Sequence, residues 1–245
     1  MESGYYAACT ALVARTQALD TIANNLANAS TVGFRAERNV FRSVLASAQG
    51  QSQSPLNLAI NRFGILSGTT VDQSQGALQK TGNELDLGIE GPGYFVVQTA
   101  GGPMYTRNGA FQVSSHGQLI TASGDAVMGD HGVITMLPGP ASISADGTIS
   151  SNGAVAGKLR VVEFPPDTEL QSVGNTYYSA PANTAATSAS SSVRQGMLES
   201  SNVNPIEGMV ELVTAQRTAE MMERALSMYN NEIDKTATQD LPKVG

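Results

Sequence analysis

The 245-residue chain carries 14 Lys+Arg against 21 Asp+Glu, a formal net charge of −7. That acidic balance excludes the basic face that nucleic-acid binding needs. A single cysteine, Cys9, excludes an internal disulfide, and no apolar run approaches the roughly 20 residues of a membrane span.

The first predicted element is a helix over residues 3 to about 28. Its apolar positions Ala8, Leu12, Leu19, Ile22 and Leu26 step by four, seven, three and four, the spacing of one seam along a helix. Arg15 falls in that seam between Leu12 and Leu19 as a mild defect. Cys9, among Ala7, Ala8 and Leu12, reads as a small packed side chain and not a reactive thiol. Gly33 is the expected stop, because glycine tolerates positive φ. No positively charged start precedes an apolar stretch of signal-peptide type, since the first basic residue is Arg15. A soluble protein is expected, either cytoplasmic or exported with its N-terminus uncut.

Residues 35–75 read as an extended linker region. Val40, Val44 and Leu45 could continue a helix, and Gln49 to Pro55 is a polar, breaker-rich loop. Residues 76–193 read as a central all-β domain. Leu85, Leu87 and Ile89 alternate with Asp86 and Gly88, the period of a half-buried strand. Tyr94 to Val97 is a buried-strand candidate. Turn signals recur at Gly101–Pro103, His116–Gly117, Asp130–Gly132, Asp146–Gly147 and Asn152–Gly153. Ile143 and Ile149 flank Asp146–Gly147 symmetrically, and Asp-Gly supplies the positive φ values a tight hairpin needs, which predicts a hairpin. Residues 179–193, rich in Ser and Ala, bury little and read as a surface strand or linker.

The last segment, 194–245, ends in a second helix. Asn204 can cap it, Pro205 fits the first position, and Glu207 falls three residues after the cap. Leu212, Ala215, Ala219, Met222, Leu226, Tyr229 and Ile233 alternate steps of three and four, and Met209, Met221 and Met228 widen the apolar surface. The helix is expected to run to about Thr236 and to end by Asp240-Leu241-Pro242. Burial along one seam does not by itself offset the entropy of ordering so long a segment. The helices therefore become firm only against partners. The expected fold is α+β: N- and C-terminal helices forming a paired coiled-coil-like helical domain, with a central all-β domain.

Asn24, Asn25, Leu26, Ala27 and Asn28 crowd three Asn into five residues at the first helix end, followed by Gly33, Phe34 and Arg35. This stretch resembles the Asn-Asn-Leu-Ala-Asn signature of the bacterial flagellar axial proteins. The likeness continues in Gln75-Gly76 with Thr81 to Ile89 and Gly91 to Phe95, then in Tyr105 to Phe111. It extends to Gln195-Gly196, Leu198-Glu199 and Ser201 to Asn204, with Asn202, Val203 and Asn204 closing the block. The four ordered blocks cover both ends and the β region.

The resemblance implies a structural subunit of the flagellar basal-body rod, the helical tube that transmits torque across the periplasm to the hook. It implies terminal helices lining the inner tube, a β layer outside, and export through the flagellar type III apparatus without signal cleavage. Partners would be copies of the chain and neighbouring rod and hook-base proteins. Length and the short 39–75 region favour the proximal F type over the distal G type, while Asp240-Leu241-Pro242 is closer to the distal form.

No enzyme is expected, and no cofactor or metal. His116 and His131 each precede Gly in turn contexts, so a site with Asp125 or Asp130 is disfavoured. Glu84 and Asp86 read as solvated acids. No Walker-type loop, His-Glu-x-x-His or Gly-x-Ser-x-Gly motif occurs. A secreted β-rich adhesin is the remaining alternative.

Overall fold

Tyr94 to Val97 is a stretch of strand covered on both faces, and the β structure is organised around it. In the computed structural model the described residues are 2–42, 65–166, 168–181, 184 and 186–239. Helix α1 is Glu2–Ala27 and helix α2 is Pro205–Gln239. Between them come β1 (Glu37–Arg42), β2 (Ile65–Val71), β3 (Leu78–Lys80), β4 (Leu87–Glu90) and β5 (Tyr94–Thr99). Then follow β6 (Gly102–Thr106), β7 (Gln112–Val113), β8 (Leu119–Ile120), β9 (Ala126–Gly129) and β10 (Gly132–Val133). The next are β11 (Ala141–Ile143), β12 (Thr148–Ser151), β13 (Ala154–Lys158) and β14 (Val161–Glu163). The last are β15 (Gln171–Gly174), β16 (Tyr177–Ser179), β17 (Thr187–Ser188), β18 (Ser192–Gln195) and β19 (Met197–Glu199).

The main sheet runs β15-β16-β6-β5-β9-β8-β7, with β10 added on β9, and with β14 joining β5 to β17. A three-stranded meander, β11-β12-β13, and the pairs β18-β4, β19-β3 and β1-β2 complete the strands. Alternation along β5 divides the core in two. Phe95 and Val97 point into a cluster with Leu87, Phe111, Val127 and Ile149. Tyr94 and Val96 point into the other, with Val162, Phe164, Leu170 and Tyr178. Edge-to-face rings tighten both clusters, Phe95 on Phe111 at 5.1 Å and Tyr105 on Phe164 at 4.7 Å.

The chain divides by its contacts into two units. One comprises described residues within 1–26, 38–69 and 205–245. The other comprises those within 27–37 and 70–204. Among the described residues no helix is long and apolar enough to cross a membrane.

The expected fold class needs correction. Among the described residues the chain is mostly β, with 19 strands and two helices, and the paired coiled-coil-like helical domain is not formed. A coiled coil buries large side chains in its seam. Among the side chains described, the buried positions of α1 are Ala14, Ala18 and Thr21, small residues one notch round from the leucine seam, and in α2 the one buried position is Ala219. The two helices approach where α1 ends and α2 begins. There a Cβ on Gly208 would sit 3.8 Å from Leu26 Cδ1.

Four smaller expectations also change. Helix α1 ends at Ala27, before Gly33, and the Thr31 amide donates to the Asn28 carbonyl at 3.0 Å as the chain turns away. Val40 lies in strand β1, not in a helix. Strand β4 is covered on both faces, since Gly88 packs under Leu78 and Met197, and Asp86 is buried and accepts from Asn83 Nδ2 at 3.0 Å. At Asp146–Gly147 only Gly147 takes positive φ. The hairpin itself forms as expected, with Ile143 opposite Ile149. Asn152 and Gly153 both take positive φ (51° and 80°), the two-residue turn that joins β12 to β13. The expected loop at 49–55 and the stop at Asp240-Leu241-Pro242 lie outside the described residues.

Candidate assembly site

Helix α2 forms from strong helix formers after Pro205, whose missing N–H costs nothing at the first position, with Glu207 in the positively polarised first turn. Its covered stripe is Gly208, Leu212, Ala215, Ala219, Met222 and Leu226, half-buried except for buried Ala219. The side chains of Tyr229 and Ile233 lie outside the described residues. The opposite face carries a second apolar stripe that is open: Ile206 (75% exposed), Val210 (63%), Val213, Met221 and Met228, with Met209 beside it. In α1, Leu12, Leu19, Ile22 and Leu26 are half-buried. Thr21 Oγ1 lies 3.0 Å from the Gln17 carbonyl and 3.1 Å from Asn39 Oδ1, two acceptors for its single proton.

The motif residues divide by role. Asn24 and Ala27 are exposed, and Asn25 and Asn28 half-buried. Thr31 Oγ1 donates to Asn28 Oδ1 at 3.1 Å, which shapes the turn after α1. Gly33 (φ 69°) has no room for a side chain, because a Cβ would sit 2.3 Å from the Asn108 backbone nitrogen. Phe34 is buried. Asn202 is a staple. Its Oδ1 accepts from the Ala36 amide at 2.7 Å, and its Nδ2 donates to the carbonyls of Asp72 (3.2 Å) and Ser74 (3.0 Å). Val203 is half-buried, and Asn204 is exposed directly before α2.

The most consequential side chains are three charges outside both helical seams. Arg35, Arg107 and Glu199 form a dry ion cluster in which every side chain is 0–1% exposed. Glu199 Oε2 accepts from Arg107 Nη1 at 3.0 Å. Glu199 Oε1 accepts from the Gly76 amide at 2.9 Å and lies 2.8 Å from Arg35 Nη2, a close ion pair poorly aligned for a hydrogen bond. Arg107 Nη2 also donates to the Gly91 carbonyl at 2.6 Å, and its guanidinium stacks on the Tyr94 ring at 4.9 Å. Arg35 Nη1 donates to the Gln73 carbonyl at 3.3 Å, and the Arg35 amide donates to Tyr178 Oη at 2.9 Å.

Two guanidiniums against one carboxylate leave a net positive charge in a desolvated core. Burial pulls the Arg107 pKa down and pushes those of Tyr94 and Tyr178 up. Arginine suits this place because its planar fork meets a carboxylate and a carbonyl at once. Two of the three charges, Arg35 and Glu199, sit among small and apolar neighbours in Val-Gly-Phe-Arg and Met-Leu-Glu-Ser, a local hint of burial that does not say which charges meet.

The sequence matches three families along its length. Residues 6–35 match the family described as flagella basal body rod protein. Residues 88–156 match the flagellar hook protein FlgE/F/G D1 domain, and residues 194–239 the flagellar basal body rod FlgEFG protein C-terminal family. The chain is 31% identical to the flagellar basal-body rod protein FlgF of Caulobacter vibrioides over all of both chains. It is 36% identical to FlgF of Salmonella typhimurium, covering 93% of this chain and 95% of that one. It is 34% identical to the flagellar basal-body rod protein FlgG of Bacillus subtilis, covering 81% and 84%. With both helices, the β unit and the buried cluster inside these matches, the chain belongs to the flagellar basal-body rod protein family.

Proposed function

We propose that the protein is a structural subunit of the flagellar basal-body rod, of the proximal F type. The observation that carries this is the similarity to an F-type rod protein over the whole of both chains. The open apolar stripe on α2 and the half-covered seams of both helices support it, because such surfaces are completed by neighbouring subunits. In this reading Leu12, Leu19, Ile22, Leu26 and the α2 seam are the assembly residues. The subunit leaves the cell through the flagellar type III apparatus without cleavage and sits in the periplasmic rod beside other rod and hook-base proteins.

Deleting the gene and purifying basal bodies from the complemented strain tests the reading. Loss of swimming, with the subunit recovered in basal bodies on complementation, is the expected result. Normal swimming of the deletion strain overturns it. The G-type relative at 34% identity keeps the distal rod as a second reading. Crosslinks to hook-base neighbours in purified basal bodies would select it.

A further inference from the structure

The chain passes between its two units after residues 26, 37, 69 and 204. On the β side, all four passages are followed or preceded within seven residues by a bond into one node. After the first passage, the Gly33 amide donates to the Glu199 carbonyl at 2.8 Å. Before the second, Arg35 meets Glu199, and the Ala36 amide donates to Asn202 at 2.7 Å. After the third, the Asp72 amide donates to the Ala36 carbonyl at 2.8 Å, Asn202 donates to the Asp72 and Ser74 carbonyls, and the Gly76 amide donates to Glu199. The fourth comes two residues after Asn202. Arg107 ties the node to the end of β6 and, through Tyr94, to the central strand β5.

Backbone pairing alone would connect these segments less firmly. Strand β19 has only three residues, and β1 and β2 pair only with each other. The charges are placed where ordinary core packing does not need them, since apolar residues of similar volume fill a core at least as well as a buried ion pair. What the ions and the Asn202 amide supply is direction and register among four chain segments that converge from distant parts of the sequence.

We propose that Glu199 and Asn202, with Arg35 and Arg107, form a mechanical joint that fastens all four passages to the β unit. Force reaching that unit along any one passage is shared by the others through side-chain bonds. These are positioning residues. The load-bearing part of the proposal rests on the rod reading above, whereas the joint itself is a property of the folded chain.

The test uses the purified full-length chain and backbone hydrogen exchange, with Glu199→Gln and Asn202→Ala. In both variants residues 31–37, 72–76 and 197–204 exchange at least tenfold faster, while β5 and β9 keep their protection. Unchanged exchange in those three segments overturns the joint. Asn202→Ala removes no charge, so it decides the matter if Glu199→Gln loses core protection as well.

In cells, Asn202→Ala is recovered in basal bodies at the wild-type level, and swimming speed falls at least twofold more steeply than wild type as medium viscosity rises. Loosened exchange with wild-type swimming under load overturns the mechanical role and leaves the joint. Absence of even the wild-type subunit from purified basal bodies defeats the rod reading, and the exchange result then stands alone.

Discussion

Glu199 and Arg107 meet at 3.0 Å with side chains about 1% exposed, and the same carboxylate serves Arg35. The cluster is therefore unequal: one anion, two cations. Removing the anion strands two desolvated positive charges, whereas removing Arg107 leaves a balanced pair. Glu199→Ala is expected to cost about 3–5 kcal/mol, the usual penalty for breaking a buried pair. Arg107→Met should cost less, despite the lost bond to Gly91 and the lost stacking on Tyr94. Urea unfolding of the two variants followed by circular dichroism checks the order. Equal or reversed costs would mean that the charge imbalance is not felt.

The same site makes the protein sensitive to alkali. Burial raises the pKa of Tyr94 and Tyr178 above the ordinary 10.0. Above pH 10 the unfolded chain releases these protons while the folded chain keeps them. The contribution of these two tyrosines to stability is therefore constant below pH 10 and declines as pH rises beyond it. Each tyrosine adds a slope of up to about 1.4 kcal/mol per pH unit. Urea midpoints at pH 8, 9, 10 and 11 should fall only above 10, and Tyr178→Phe should flatten the fall. A flat profile to pH 11 contradicts the assignment.

Two glycines at positive φ separate strain from crowding. Gly82 (φ 80°) has nothing within 4 Å of a built Cβ, so Gly82→Ala carries only the left-handed backbone penalty, about 1–2 kcal/mol. Gly33 (φ 69°) would drive a Cβ into the Asn108 backbone, which cannot rotate away as a side chain could. Gly33→Ala should therefore cost at least about 3 kcal/mol. Equal midpoints for the two variants in urea would show that the contact at Asn108 relaxes freely.

Alternation and turn chemistry made the β region legible. Tyr94–Val97, the Ile143–Ile149 hairpin and the Asn152–Gly153 turn all follow from local sequence. So did the start of α2 at Pro205. The pairing within the ion cluster is not legible, because Arg35, Arg107 and Glu199 are far apart in sequence and no period or spacing links them. The helical pair departs from expectation for a related reason. A heptad step states which residues share a face but not how much of that face the chain itself covers. Ala14, Ala18 and Thr21, the positions α1 buries, are small enough to escape a hydrophobic pattern. Asp86 is buried against the expectation of a solvated acid, because its partner Asn83 gives no apolar signal in the sequence.

The two stripes of α2 allow assembly to be separated from folding. Leu226 lies on the half-covered stripe and Met221 on the open one, 62% exposed. Neither belongs to the unit that holds the buried cores. Leu226→Glu and Met221→Glu should therefore leave the urea transition of the β unit within about 0.5 kcal/mol of wild type. A charge in either stripe must then be desolvated, or left facing apolar side chains, when a neighbouring helix docks. Incorporation into basal bodies should drop at least tenfold for both, with Leu19→Glu behaving likewise on α1. Quantitative blots of purified basal bodies, set against export of the same variants into the medium, make the measurement. If Leu226→Glu fails to assemble while Met221→Glu assembles normally, the open stripe faces solvent in the rod and only the covered seam is an assembly surface.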